Sequence, residues 1–542
     1  MKDISSTGSF KNFYRNNCIY VDKTKFISEL VKLERVFISR PRRFGKSLTL
    51  DTIATLFENG VEPYFKETYI YDKWTEPTYP VLRLNFLKFD KKSVEVFKNK
   101  LNSKITEFAK RIDVKNYIEK SEPEDSIDYL LELLSLEDRQ IVILIDEYDC
   151  QMTANINNET LYKEFQEKIK SFYANIKDQD SIRFLGITGV TRLKDVSIFS
   201  VGSNIKDITN YNAYSQMIGF TRDEIKKYYI DYLKLAVAYE SHCDVESVTD
   251  TQIEAMLDKL AQNYDGYCFD EFYKKKVFCT WSVNNFFQSI VDNHFVYFGE
   301  YWYDNGGLPS ILANYLLTHK LNAFDYLDKD NLINVPTNDF INPTSLTTIN
   351  QNVLMCQTGY LTLRSEVKVL KSRIYLGIPN GEIHKAITHL LALKVFNNDI
   401  NVDNEKGENL FEIGSFEDII TLLNSIMHSV PYDNYPIVSE AAVQNSIRLY
   451  LAGAGMEAKS EVHEAKGRAD LILETDNRRI VFELKFAQND EEAKIKLKEA
   501  VEQIKSRDYG NILPVKKELI RIAAVFNADT KVRAFKEFEN VM

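Results

Sequence analysis

The sequence predicts an α/β protein: a parallel sheet with helices on both faces, then a largely helical middle, then a smaller α/β region. Three observations carry this. Short apolar runs alternate with longer, charged, helix-periodic stretches over residues 1 to about 210, the pattern of strands buried on both faces. Helical periodicity rich in aromatics takes over from about 213 to 330. Mixed strand-like and helix-like runs return over about the last hundred residues.

In chain order, the strand-like runs of the first region are Val36–Ser39, Val81–Phe86, Ile141–Ile145 and Phe184–Gly189, with helix-periodic Lys91–Ile112 and Asn158–Lys177 between them. Helices are expected over Arg222–Leu235 and Thr251–Tyr264. Short strands at Tyr360–Arg364 and Arg373–Ile378 suggest a small helix-and-hairpin module within about 331–390. The stretch HSVPYDNYP (His428–Pro436) reads as a linker. The expected division is 1–212, 213–390, 391–436 and 437–542; 542 residues suit three or four domains at about 150 residues each.

Composition excludes several classes. With 44% hydrophobic and 27% charged residues the chain can bury real cores, which argues against wholesale disorder. A net charge of −11 rules out a generally basic nucleic-acid binder and leaves only a local basic patch for that role. No apolar run approaches the ~18 residues that span a bilayer, and MKDISSTGSF has no apolar signal-peptide core. Six cysteines without CxxC spacing point to reduced thiols. A cytoplasmic protein with no membrane partner is therefore expected.

VFISRPRRFGKSLTL (Val36–Leu50) runs from a strand through a loop into a helix-compatible stretch. The generic phosphate loop is GxxxxGK[ST]; Arg40 stands at its first glycine. Gly45 lets the backbone approach phosphate, Lys46 can reach the β- and γ-phosphates, and Ser47 can ligate Mg²⁺ at the helix N-terminus. Arg40, Arg42 and Arg43 add positive charge, Pro41 stiffens the loop, and Phe44 completes the segment assigned to ATP. The plainer alternative is a charged surface turn.

IVILIDEYD (Ile141–Asp149) is an apolar strand ending in acids, which places Asp146 and Glu147 at the edge of the sheet where ligands bind. Asp146 would hold Mg²⁺ and Glu147 would polarise the attacking water. The alternative is a solvated acidic turn. Thr188 and Thr191, at the end of the next strand, are candidates for sensing the γ-phosphate, with a plain loop as the alternative.

Near the C-terminus, Ala469–Glu474 and Arg479–Phe486 flank the turn candidate Thr475–Arg478. A turn centred between Asp476 and Asn477 puts Asp470 opposite Glu483, with Lys485 on the same face. Two adjacent acids repel unless a cation lies between them, and one or two carboxylates suffice for Mg²⁺. This suits metal-assisted phosphodiester hydrolysis; a surface hairpin with a Lys–acid pair is the alternative. Glu440, opening a helix-like stretch to Leu451, could add a third carboxylate, and Gln503 could meet substrate or water.

These motifs resemble the bacterial AAA-ATPase-like proteins that carry a C-terminal PD-(D/E)XK nuclease-superfamily domain. The matching stretches are YVDKT (Tyr20–Thr24), RPRRFGKS (Arg40–Ser47), LIDEYD (Leu144–Asp149), TGVTR (Thr188–Arg192), YDGY (Tyr264–Tyr267), QTGYLT (Gln357–Thr362), IPN (Ile378–Asn380), GRAD (Gly467–Asp470) and FELK (Phe482–Lys485). In that family Arg40 is the expected residue. The resemblance implies a P-loop ATPase core, a helical and winged-helix-like middle and a restriction-endonuclease-like C-terminal fold. It implies Lys46, Ser47, Asp146 and Glu147 as ATP and Mg²⁺ residues, and Glu440, Asp470, Glu483 and Lys485 as the nuclease set. One departure is a hairpin shorter than similar proteins often show.

The leading expectation is an ATPase controlling a Mg²⁺-dependent nuclease, with Mn²⁺ able to substitute. DNA is favoured over RNA as partner, a homo-oligomer is left open, and phage defence or mobile-element biology is the suggested setting. The rival is a nucleotide-dependent signalling switch whose C-terminal domain binds without cutting. A phosphotransferase using the same loop is weaker, because nothing supplies an acceptor site.

Overall fold

In the computed structural model the first sheet is built from β1 (Arg35–Ser39), β2 (Val81–Asn85), β3 (Ile141–Asp146), β4 (Ile182–Gly189) and β5 (Lys206–Asp207). They lie in the order β2-β3-β4-β1-β5, and every neighbouring pair is parallel. The structure describes residues 1–5, 7–193, 204–304, 312, 315, 323–343, 345–368, 372–396, 410–456, 458–464, 467–510 and 517–541; part of the expected 391–436 connector lies outside them. The chain forms two units, Met1–Leu321 with Leu332–Ile383, and Asn322–Asn331 with His384–Met542.

The central strands have the burial of a parallel sheet covered on both faces. All residues of β1 and β3 are buried, so both faces need a helical cover. The helix Lys46–Asn59 follows β1 and turns Ile53, Ala54, Leu56 and Phe57 inward. Val94–Arg111 is capped by Ser93, whose side chain accepts from Val96 N–H; Glu159–Ile176 is capped in the same way by Asn158. The expected strand ends agree within one or two residues; the two-residue β5 carries no apolar run and went unpredicted.

The expected helix Arg222–Leu235 is two helices, Arg222–Tyr228 and Ile230–Ser241, joined at Tyr229. With Asp250–Tyr264 and Thr280–Asn293 they share an apolar core that includes Tyr229, Tyr264, Phe286 and Phe287, so these aromatics serve packing. Further on, β6 (Ile333–Pro336), β7 (Thr362–Leu363) and β8 (Arg373–Gly377) form an antiparallel sheet in the order β6-β8-β7.

The second unit holds a mixed five-stranded sheet of β9 (Ala458–Glu464), β10 (Gly467–Glu474), β11 (Arg478–Ala487), β12 (Glu518–Asn527) and β13 (Ala534–Asn540), in the order β13-β12-β11-β10-β9. β10 and β11 pair antiparallel with Leu471 opposite Phe482 and Glu474 opposite Arg479, the register expected from a turn centred at Asp476–Asn477. β11 is central and pairs parallel with β12. The helix Asp490–Arg507 packs Ala500 and Ile504 into the core beside Val481.

Candidate functional site

The loop after β1 ends in Gly45, whose φ of +101° is open to glycine and costly for other residues. It caps the helix that begins at Lys46, so Lys46 and Ser47 sit at a helix N-terminus. Across the sheet, Asp146 closes β3. Its carboxylate accepts from Ser47 Oγ at 2.7 Å, Thr188 Oγ1 at 2.6 Å and Asn85 Nδ2 at 3.3 Å. Three other segments thus converge on one acid. Lys46 Nζ donates to the carbonyls of Arg40 (3.0 Å) and Pro41 (3.2 Å) and lies 3.5 Å from Glu147. Glu147 itself has φ +54°. A cavity of about 270 Å³ opens onto Arg42, Phe44, Gly45, Lys46, Ser47 and Glu147 and is walled on its far side by Tyr20 and Ile218.

Not every residue of the loop faces this cavity. Arg40 is buried, its guanidinium 4.1 Å from the Phe269 ring and bonded to the carbonyls of Ser39 and Thr209. Burial pulls its pKa down to about 9. The expected charge of Arg40 over the phosphates is therefore spent in the core, and Arg40 and Pro41 contribute carbonyls. Arg43 borders the cavity, yet its guanidinium donates to the carbonyls of Tyr301 and Trp302 and stacks near Trp281.

Two residues not expected from the sequence organise this region. Asp149 is buried and accepts from Thr191 N (2.6 Å) and Thr191 Oγ1 (2.5 Å), so Thr191 anchors the turn after β4 while Thr188 reaches Asp146. Gln357 accepts from Arg192 N (3.2 Å) and donates to Arg192 O (3.4 Å). Two residues on, Gly359 lies so close to Pro41 that a Cβ there would sit 2.9 Å from the Pro41 Cβ. Both lie in stretches that the sequence marks, Asp149 in LIDEYD and Gln357 in QTGYLT, but neither stretch indicates the role.

In the second unit the ladder breaks at Asp470. Neither β9 nor β11 pairs with it, although its neighbours Ala469 and Leu471 pair normally, and Glu461 on β9 has φ +51°. The Asp470 carboxylate instead accepts from Leu484 N at 2.9 Å. Lys485 Nζ gathers three acids, at 2.6 Å from Glu483, 3.5 Å from Glu440 and 3.7 Å from Asp470. Glu440 begins the helix Glu440–Gly453 behind the Ser439 cap. All four expected residues are thus together. Burial, with Asp470 as a second cause, pushes Glu483 up to about 7; burial also raises Asp470 and Glu440. Lys485 is raised by its acids, against burial as the largest single influence.

Among the described residues no three His, Cys, Asp or Glu side chains form a ready-made shell for one metal ion; the Lys485 ammonium stands amid the acids. The wholly buried Glu483 Oε2, however, has no hydrogen-bond partner. An orphaned carboxylate oxygen beside two more acids fits a hard divalent cation. Gln503 Nε2 donates to Tyr509 Oη at 3.4 Å, which in turn donates to Arg468 O at 2.6 Å.

Residues 5–199 match the family model described as a predicted AAA-ATPase, and residues 438–536 match that of the PD-(D/E)XK nuclease superfamily. The chain joins an AAA-ATPase-like domain to a nuclease-superfamily domain. An uncharacterized protein in the vnfD 5′ region of Azotobacter chroococcum mcd 1 is 25% identical over 524 residues, 94% of this chain and 93% of that one. The crystal structure of Cdc6p from Pyrobaculum aerophilum aligns over 68% of this chain and 93% of its own at 11% identity, with a TM-score of 0.22. The AAA-ATPase-like match embraces the Arg40–Ser47 loop, Asp146, Glu147 and Thr188; the nuclease-superfamily match embraces Glu440, Asp470, Glu483 and Lys485. No helix among the described residues is long and apolar enough to cross a membrane.

Proposed function

We propose that this protein hydrolyses ATP and, under control of that ATPase, cleaves phosphodiester bonds of nucleic acid in a step dependent on Mg²⁺ or Mn²⁺. The observation that carries the reading is the convergence of Glu440, Asp470 and Glu483 within 3.7 Å of Lys485 Nζ, inside the segment matching the nuclease superfamily. The working division is an ATPase domain over 1–212, a helical and winged-helix-like region over 213–390, a connector over 391–436 and a nuclease domain over 437–542. The setting is the cytoplasm, with DNA favoured over RNA, in defence against or movement of foreign DNA.

In the ATPase site, Ser47 and Asp146 would hold the metal that accompanies ATP. Lys46 would leave its carbonyl partners for phosphate oxygens, and Glu147 would take the proton of the attacking water. In the nuclease site, Asp470, Glu483 and Glu440 would hold the cation, whose chemistry is to acidify a bound water and offset charge on the phosphate. Lys485 would orient a water or offset charge on a phosphate oxygen.

The test uses the full chain with single-stranded DNA, duplex DNA and RNA, with Mg²⁺ or Mn²⁺ and with or without ATP. Cleavage should vanish in Asp470→Ala and Lys485→Ala. Equal trace activity in wild type and both variants would end the proposal. The switch reading draws on the Lys485 ammonium already standing among the acids where a cation would bind; calorimetry finding no metal binding that depends on Asp470 and Glu483 would favour it.

A further inference from the structure

A second cleft in the ATPase-like domain, of about 850 Å³, runs along the outer edge of β2. β2 is the edge strand of its sheet, and the cleft's outer wall is the helix Val94–Arg111. That helix presents Lys100, Lys104 and Arg111 to the cleft. At 100° per residue the three fall within about 40° of one another, in a stripe about 16 Å long. Lys88 adds a fourth cation. Lys104 pairs with Glu107 one turn on, whereas Lys88 and Lys100 form no ion pair among the described residues. On the opposite wall Arg83 is neutralised by Asp51 (2.5 Å) and Glu58 (2.6 Å). Arg111 is bonded to Val81 O, so of the three helix cations Lys100 alone is unengaged among the described residues, with Lys88 beside it and Glu107 in the same lining, in a chain whose net charge is −11. The inner end of the cleft is formed by Ser47, Asn85 and Asp146, the groups that meet at the metal end of the ATP site.

We propose that this cleft binds the sugar–phosphate backbone of a nucleic acid and makes ATP turnover respond to it. Cations spaced regularly along a helix suit a polymer of regularly spaced anions. An acidic peptide adding a strand to β2 fits less well, because Val81 O at that edge already accepts from Arg111 Nη2 at 2.8 Å. Backbone bound along Lys100 and Lys104 reaches the side chains around Asp146, so its arrival is felt where ATP is hydrolysed. The coupling to turnover rests on the ATPase reading; the binding does not.

The experiment uses full-length Asp470→Ala protein, so that the probe survives, with a thirty-nucleotide oligothymidylate, the matching duplex and polyglutamate as probes. Three readouts are taken: acetylation of Lys100 and Lys104, ATP turnover, and oligonucleotide affinity at several salt concentrations. The expected result is that oligonucleotide protects both lysines and raises turnover several-fold. In Lys100→Glu/Lys104→Glu the stimulation should be lost while basal turnover persists. Affinity in that variant should fall about tenfold or more and the salt slope by about 1.4 for a single strand. Equal modification with and without either nucleic acid overturns the proposal, as does protection by polyglutamate alone, which would mark a protein-binding groove. Protection without ATP turnover under any condition would sink the ATPase reading and leave the groove standing.

Discussion

Trp302 N donates to Glu382 Oε1 at 2.7 Å, and the carbonyl of the same Trp302 accepts from Arg43 in the phosphate loop. Ser282 Oγ donates to the second oxygen of Glu382 at 2.7 Å. The carboxyl is almost wholly buried, and burial pushes its pKa up to about 8.

That shift has a pH consequence. The folded pKa lies above the unfolded value of about 4.3, so the folded state keeps a proton that the unfolded chain releases. The stabilisation is fully present below about pH 4.3 and is lost as pH rises toward 8, by at most about 1.4 kcal/mol per pH unit. Glu382→Gln should flatten this part of the pH dependence and be relatively more stable at pH 8 than at pH 5. Urea unfolding of the first unit at several pH values checks it; an unchanged slope refutes it.

Glu147→Gln should bind ATP about as well as wild type but turn it over on the order of 10²–10⁴-fold more slowly, the usual loss of a general base. Lys46→Ala should weaken binding itself. Filter binding of labelled nucleotide, run beside phosphate release, separates the two defects.

Mn²⁺ should stabilise the second unit. At about a hundred times its dissociation constant a ligand adds about 2.7 kcal/mol. Glu483→Gln should remove the gain, because it replaces the orphaned oxygen's carboxylate with an amide. Thermal unfolding with and without metal reports this independently of cleavage, and an equal shift in the variant would count against a metal at Glu483.

Gly266 has φ +96°, and a Cβ there would lie 2.2 Å from the carbonyl oxygen of Pro379. The side chain of Asn380 donates to Asp265 O at 2.8 Å beside it. Gly266→Ala should therefore cost about 2–4 kcal/mol, in the range of backbone clashes with no flexible group to yield. A denaturant midpoint within error of wild type would refute the contact.

The parallel sheet was legible because β1, β3 and β4 are continuous apolar runs ending in chemically distinctive residues. The β10–β11 register was legible because alternation and a short turn determine it together. The break of pairing at Asp470 was not, since it depends on the positive φ of Glu461 on a neighbouring strand. Nor was the burial of Arg40, whose carbonyl partner Thr209 lies 169 residues away. Glu382 escaped for the same reason, and Gln357, although it opens the QTGYLT stretch, gave no sign of its role: their partners at Trp302 and Arg192 are distant in sequence. Local pattern reports which residues carry chemistry; long-range hydrogen bonds decide which of them are spent on architecture.

The close fit of Gly359 against Pro41 leaves no clearance for even a methyl group. Any side chain at position 359 would have to displace Pro41 of the phosphate loop. Gln357, two residues back, grips the main chain of Arg192, so both ends of the nucleotide site bear on a single turn. One short turn thus touches the segment after β1 through Gly359 and the segment after β4 through Gln357.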